Sequence, residues 1–314
     1  MSEHRTPIVI SSYAASPAHS EWDPGLEAEL LQGLCALPDV VGLEVPWVGD
    51  IHPHDPEWFH AHVPAGALLT LTPLPWVMRR CAEVDGYGIA SLDRDGRRIA
   101  LNDVMAVAEA TREFCAESTA PIASVMLHSA PRGTGDSKAL AASLEEIASW
   151  DWAGAQLLLE HCDAPVSGRP FEKGFLSLDS EIAAIQSSHS AVRLWLNWGR
   201  SVIETRDPDG VTRQIQAAHD SGLLHGLAFS GTAAADGPYG DAWEDRHLPL
   251  ASADPTAGSL LDDAHLSDAL RAAGNVRALG LKVSRRPQDR SAQDVIRTVG
   301  DNLTVLRTIA AEVA

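Results

Sequence analysis

The chain has few cysteines, no long apolar run and no surplus of positive charge, and each shortage removes a class of protein. Its four cysteines, Cys35, Cys81, Cys115 and Cys162, are scattered through 314 residues with no C-x-x-C pair. That spacing argues against a disulfide framework or a cysteine zinc site and suits the reduced thiols of a cytoplasmic protein. No stretch approaches the roughly 20 apolar residues of a membrane span. The opening Met1-Ser2-Glu3-His4-Arg5 lacks the basic-then-apolar order of a signal peptide. Lys and Arg number 24 against 43 Asp and Glu, a formal net charge of -19. Such a surface repels phosphate backbones, so neither nucleic acid nor a membrane is expected as a partner. Missing too is a G-x-G-x-x-G after the first apolar run, where a dinucleotide-binding fold carries one.

What is there is alternation. With 45% hydrophobic residues the chain can bury a large core. Short apolar runs recur eight times: 8–10, 40–45, 68–72, 122–127, 157–159, 192–196, 223–229 and 276–283. Between them lie segments with one apolar face at helical spacing, over 25–37, 101–116, 138–150, 177–188, 211–221 and 259–273. A weaker one covers 55–62, and a last one opens at Ser291 with an acidic first turn. Eight strand-then-helix units predict one α/β domain over 1–314, a (β/α)8 TIM barrel. A doubly wound sheet is the rival.

Barrel enzymes place their chemistry at the C-terminal ends of the strands. The central stretch is Leu157 to Pro165, where three leucines give way to Glu160, His161, Cys162 and Asp163. Other runs end in Ser11-Ser12-Tyr13, Glu44-Val45-Pro46-Trp47, Thr72 to Trp76, His128 to Arg132, Asn197-Trp198-Gly199-Arg200-Ser201, Ser230-Gly231-Thr232 and Lys282 to Arg285. Carboxylates and amides take a sugar's hydroxyls, and tryptophan faces stack on its C–H face. Singly, each residue has a plainer reading. Glu44 suits a rim salt bridge, His128 a core histidine, Asn197 a backbone cap, and the tryptophans packing. His52 and His54 read as exposed loop residues. The clustering by position in the repeat carries the functional reading.

Two connections exceed a tight turn. Residues 75–98 read as a long loop with a hairpin tip at Asp93–Arg98. Residues 231–250 read as a glycine-rich lid, closing through Tyr239, Trp243 or Arg246.

At Gly42-Leu43-Glu44, His128 and Leu159-Glu160 the sequence resembles the xylose-isomerase-like TIM-barrel superfamily of sugar isomerases and epimerases. Through Leu-Glu-His-Cys-Asp-Ala and Asn-Trp-Gly-Arg-Ser it also resembles a branch of that superfamily found in soil actinobacteria. The resemblance implies a divalent cation held by a Glu on strand five, an Asp on strand six, a His on strand seven and a Glu on strand eight. Glu160 matches the first; Asn197, Ser230 and Lys282 stand at or near the others. That set suits a hard dication poorly. The expectation is therefore no metal or other cofactor, with Lys282, paired to Glu160, in the cation's place. A divalent metal (Mn, Zn or Mg) is the runner-up, held by the family positions or by some of Glu160, His161, Asp163, His128 and His247.

The resemblance thus implies a sugar or sugar-acid isomerase or epimerase moving a proton next to a carbonyl. Glu160 would be the base, His128 or His161 the relay, and Lys282 the electrophile. Glu44, Trp47, Asn197, Trp198, Arg200, Tyr239, Trp243 and Arg246 would bind a small carbohydrate. One alternative is a lyase or hydrolase in which Lys282 forms a Schiff base. Another is a non-catalytic carbohydrate-binding barrel. A homodimer is left open as the assembly.

Overall fold

A computed structural model describes residues 6–313, so the opening five residues lie outside it. The chain runs β1 (Ile8–Ser11), α1 (Ser12–Ala15), α2 (Pro24–Cys35), β2 (Val40–Pro46), α3 (Pro56–His62), β3 (Leu68–Thr72), α4 (Leu74–Glu83), α5 (Arg94–Glu117) and β4 (Ile122–Leu127). It continues through α6 (Ser137–Ala148), β5 (Gln156–Glu160), α7 (Leu178–Ser188), β6 (Arg193–Asn197), α8 (Trp198–Thr205), α9 (Pro208–Asp220) and β7 (Leu224–Phe229). It ends with α10 (Asp263–Ala273), β8 (Ala278–Leu281) and α11 (Ala292–Val313). The eight strands pair in sequence order, all parallel, and β8 closes on β1. This is the (β/α)8 barrel that the alternation predicts. No helix among the described residues is long and apolar enough to cross a membrane.

Strand residues alternate between the helix layer and the barrel interior. The outward set, including Leu43, Leu69, Leu127, Leu159, Leu194 and Leu227, joins the main apolar core with the helices. Inside, Met126, Leu158, Trp195 and Ala228 form a separate cluster. Trp195 is accommodated because two neighbouring strand positions are glycine. A Cβ at Gly226 would lie 2.1 Å from its ring, and one at Gly280 2.9 Å. Two residues further along their strands, Met126, Leu158, Trp195 and Ala228 are followed by His128, Glu160, Asn197 and Ser230. The same parity brings Ser11 level with Glu44. The mouth is thus a polar layer resting on an apolar floor.

Part of the acidity begins helices. Asp23, Asp55, Asp93, Asp136, Asp207 and Asp262 each accept backbone N–H bonds at an N-cap, and such caps contribute about 1 kcal/mol apiece. Asp93 corrects one expectation. Residues 93–98 are not a hairpin tip but the start of α5, with Gly96 N donating to Asp93 Oδ1 at 2.7 Å. Most of α4 also lies inside the stretch read as loop; its two early prolines suit a helix's first turn, where no N–H is needed.

Candidate active site

His128 and Glu160 meet at the mouth. His128 Nε2 lies 2.9 Å from Glu160 Oε2, and both side chains are buried. Burial holds the His128 imidazole below its ordinary range despite the carboxylate, so the ring is neutral. With Nε2–H donated to Glu160, Nδ1 carries the lone pair. Glu160 Oε1 contacts Arg200 Nη1 at 2.5 Å. Burial pushes the Glu160 carboxyl up, but Arg200 and His128 outweigh it and hold the group well below the carboxylate range.

Across the barrel, Lys282 Nζ donates to Glu44 Oε1 and to Tyr13 Oη, both at 2.7 Å. The expected Lys282–Glu160 pair is therefore corrected: Lys282 belongs to Glu44, and Arg200 to Glu160. Burial disfavours the ammonium, yet Glu44 raises its pKa above the usual lysine range. A lysine held charged is a hydrogen-bond donor and a poor Schiff-base nucleophile.

Asn197 caps α8, its Oδ1 accepting from Arg200 N at 3.3 Å. Ser230 Oγ lies 3.0 Å from His247 Nδ1, and that nitrogen lies 3.2 Å from Asp245 Oδ1. Asp245 Oδ2 meets Arg200 Nε and Lys173 Nζ, each at 3.0 Å. Of the 231–250 loop, then, Asp245 and His247 reach the mouth, and the three residues expected to do so do not. Tyr239 donates to Asp254 at 2.7 Å. Trp243 lies under Arg206. Arg246 pairs with Glu244 at the surface.

Other candidates also lie elsewhere. Trp47 packs in the main core, edge-to-face with Trp76 at 5.1 Å. Trp198 is buried in the same core. His161 follows Glu160 directly and so faces the helix layer. There its Nδ1 lies 2.7 Å from Glu181 and its Nε2 3.3 Å from Glu204. Asp163 accepts backbone N–H groups of Glu172, Lys173 and Gly174, and so shapes its own loop. His52 is buried, not exposed.

His161 offers a direct test of its structural role. Burial alone would lower its pKa, but Glu181 and Glu204 raise it to about 10, against about 6.5 in the unfolded chain. Between those values the folded state holds the extra proton. The stabilisation is complete below about pH 6.5 and is lost as pH rises through 10, at up to about 1.4 kcal/mol per pH unit. Urea unfolding from pH 7 to 10 should show this decline, and His161→Gln should flatten it. An unchanged slope in the variant would place the proton elsewhere.

The resemblance implies a dication held by three carboxylates and an imidazole on strands five to eight. Here Asn197 spends its carbonyl oxygen on a helix cap, Ser230 faces His247, Lys282 is a cation, and both Glu160 oxygens are engaged. These residues do not fit that ion. Two other groups among the described residues bring potential ligand atoms within 4.8 Å of one another. In His128–Glu160–Cys162, Arg200 Nη1 already lies against Glu160 and 3.6 Å from Cys162 Sγ. In His19–Glu27–His52, His52 Nδ1 accepts two backbone N–H bonds, from His54 and Asp55. Its proton therefore sits on Nε2, the nitrogen a metal would need.

A family model described as a domain of unknown function (DUF4862) matches residues 9–298. The chain belongs to the DUF4862 family. A relative of this DUF4862 protein, an uncharacterized protein of Salmonella typhimurium, is 33% identical over 276 residues, 86% of each chain. Among solved structures, an L-ribulose 3-epimerase is similar with a TM-score of 0.60 at 17% identity, covering 98% of this chain and 97% of that one. A xylose isomerase-like TIM barrel protein from Mycobacterium smegmatis, in complex with magnesium, gives a TM-score of 0.53 at 13% identity over 99% of both. The DUF4862 chain thus shares the xylose isomerase-like barrel fold.

Proposed function

We propose that this protein is a carbohydrate isomerase or epimerase that moves a proton on the carbon beside a carbonyl, without the superfamily's divalent metal. One observation carries the reading. Ser11 Oγ, Thr72 Oγ1, His128 Nδ1 and Asn197 Nδ2, all at strand ends, are buried without hydrogen-bond partners. Buried polar groups are nearly always paired, so four such groups in one layer support the reading that a ligand's hydroxyls are their partners. Two hydroxyls, an amide N–H and an imidazole lone pair are complementary to a polyol. The likeness to sugar epimerases is consistent with that chemistry.

In this reading His128 Nδ1 lifts the carbon-bound proton, and Glu160 fixes the ring's tautomer and steadies the imidazolium that forms. Glu160 itself is too weak a base, since Arg200 neutralises it. Lys282, oriented by Glu44 and Tyr13, donates to the carbonyl oxygen and stabilises the enediolate. Arg200, not Lys282, takes the place of a cation at Glu160. Return of the proton by His128 to the neighbouring carbon gives the isomer, whereas an epimer takes its proton from a second donor on the opposite face.

The test is deuterium wash-in from D2O, read by NMR, across free ketoses and aldoses, sugar phosphates and sugar acids. The enzyme is purified without chelator and analysed for metals, then assayed before and after EDTA. Wash-in that survives EDTA, in protein with substoichiometric metal, is the expected result. Exchange abolished by EDTA and restored by Mn2+, Zn2+ or Mg2+ would overturn the metal-free mechanism. No wash-in with any sugar would overturn the isomerase reading.

A further inference from the structure

We propose that Asp245 is a positioning residue, which latches the loop between β7 and α10 over the mouth and, through Arg200, sets the charge that Glu160 presents to His128. The proposal rests on the acid–base reading above. One carboxylate joins three parts of the chain. Its Oδ2 lies 3.0 Å from Arg200 Nε on α8 and 3.0 Å from Lys173 Nζ on the loop after β5. Its Oδ1 reaches His247, which contacts Ser230 at the end of β7. The Asp245 side chain is only 6% exposed, and that of Arg200 1%. Lys173 is delivered by a loop wound around Asp163, which accepts three successive backbone N–H groups.

Arg200 is therefore shared. Nη1 lies on Glu160 and Nε on Asp245. While the loop is closed, the guanidinium charge is divided between two carboxylates. Once Asp245 leaves, the whole charge falls to Glu160, whose carboxylate then accepts more weakly from His128 Nε2. The ring becomes a weaker base, because its tautomer partner is less electron-rich. Closure of the loop and basicity of His128 are thus linked through one side chain. Lys173 adds a second tie, so the loops after β5 and β7 open together. The surface pair Glu244–Arg246 lies outside this linkage.

The protein carries its own reporter. Cys162 Sγ is 3.6 Å from Arg200 Nη1 and fully buried, whereas Cys35, Cys81 and Cys115 are partly exposed. Iodoacetamide labelling, resolved by peptide mass spectrometry, reads all four thiols at once, and the other three serve as controls for general loosening. In Asp245→Asn, Cys162 labelling should rise by at least about tenfold with the controls unchanged, because removing one partner of a buried ion pair is strongly destabilising. Lys173→Met leaves Arg200 on Asp245 and should give a smaller rise; it also carries the test alone should Asp245→Asn fail to fold. The 15N resonances of the His128 ring should shift in Asp245→Asn and return toward wild type in Asp245→Glu. Unchanged Cys162 labelling, a rise only in step with the control thiols, or unmoved His128 resonances would each overturn the proposal. None of these measurements uses a sugar, so failure of the isomerase reading would show separately, in the wash-in panel.

Discussion

His128→Asn should lower solvent-deuterium wash-in by at least about a hundredfold, the usual scale for a positioned acid–base group, while the melting temperature moves by only a few degrees. The buried carboxylate keeps Arg200 as its partner, although asparagine is too short to carry its amide to the position of Nε2. What it cannot supply is a basic nitrogen at the position of Nδ1. Glu160→Gln should also slow exchange, because an amide no longer specifies one imidazole tautomer. Its effect differs in kind, for it also leaves Arg200 with less compensation and should reduce stability as well as rate. A His128→Asn protein that exchanges at the wild-type rate would remove His128 as the base.

Arg200→Met should destabilise the fold by about 3–5 kcal/mol near neutral pH, the usual cost of breaking a buried ion pair from one side, or roughly 5–15 °C in melting temperature. The methionine fills most of the volume but leaves Glu160 ionised in an apolar surround, with a neutral His128 as its remaining partner. The sign of the pH dependence follows. In the wild type the Glu160 carboxyl is held below its ordinary range, so its contribution is present above the unfolded value of about 4.3 and fades as pH falls below it. In the variant, burial without Arg200 raises the folded value. The group then binds its proton more readily when folded, and the deficit shrinks as pH falls towards 5. Urea unfolding at pH 5 and pH 8 reads both. Equal stability to wild type at pH 8 would mean that the Glu160–Arg200 contact holds nothing together.

The eight strands were legible because each is a short apolar run between amphipathic segments, and a closed parallel barrel buries strands on both faces. Glu44, His128, Glu160, Asn197 and Lys282 were legible for the same reason: each stands at or next to the end of such a run, at the inward parity. Pairing was not. Nothing in a linear sequence says that Lys282 bonds to Glu44, 238 positions away, rather than to Glu160. Arg200 was placed among substrate contacts, but its part in neutralising Glu160 depends on where α8 starts, which Asn197 fixes as an N-cap. His161 could have been set aside from the sequence alone, since neighbours in a strand face opposite sides. Lys173 and Asp245 act from loops, where side-chain direction follows no period, and Tyr13 acts from the one-turn helix α1 that follows β1.

The Trp195 indole, fitted between Gly226 and Gly280, stops up the far end of the barrel. A ligand seated on that floor, with Met126, Leu158 and Ala228 beside the indole, has its way in and out past the strand ends. On the isomerase reading proposed above, product leaves by the way substrate enters and competes with it. An indole exchanged for a smaller side chain, with its two facing glycines kept, would turn a blind alley into a cavity reaching towards the opposite end.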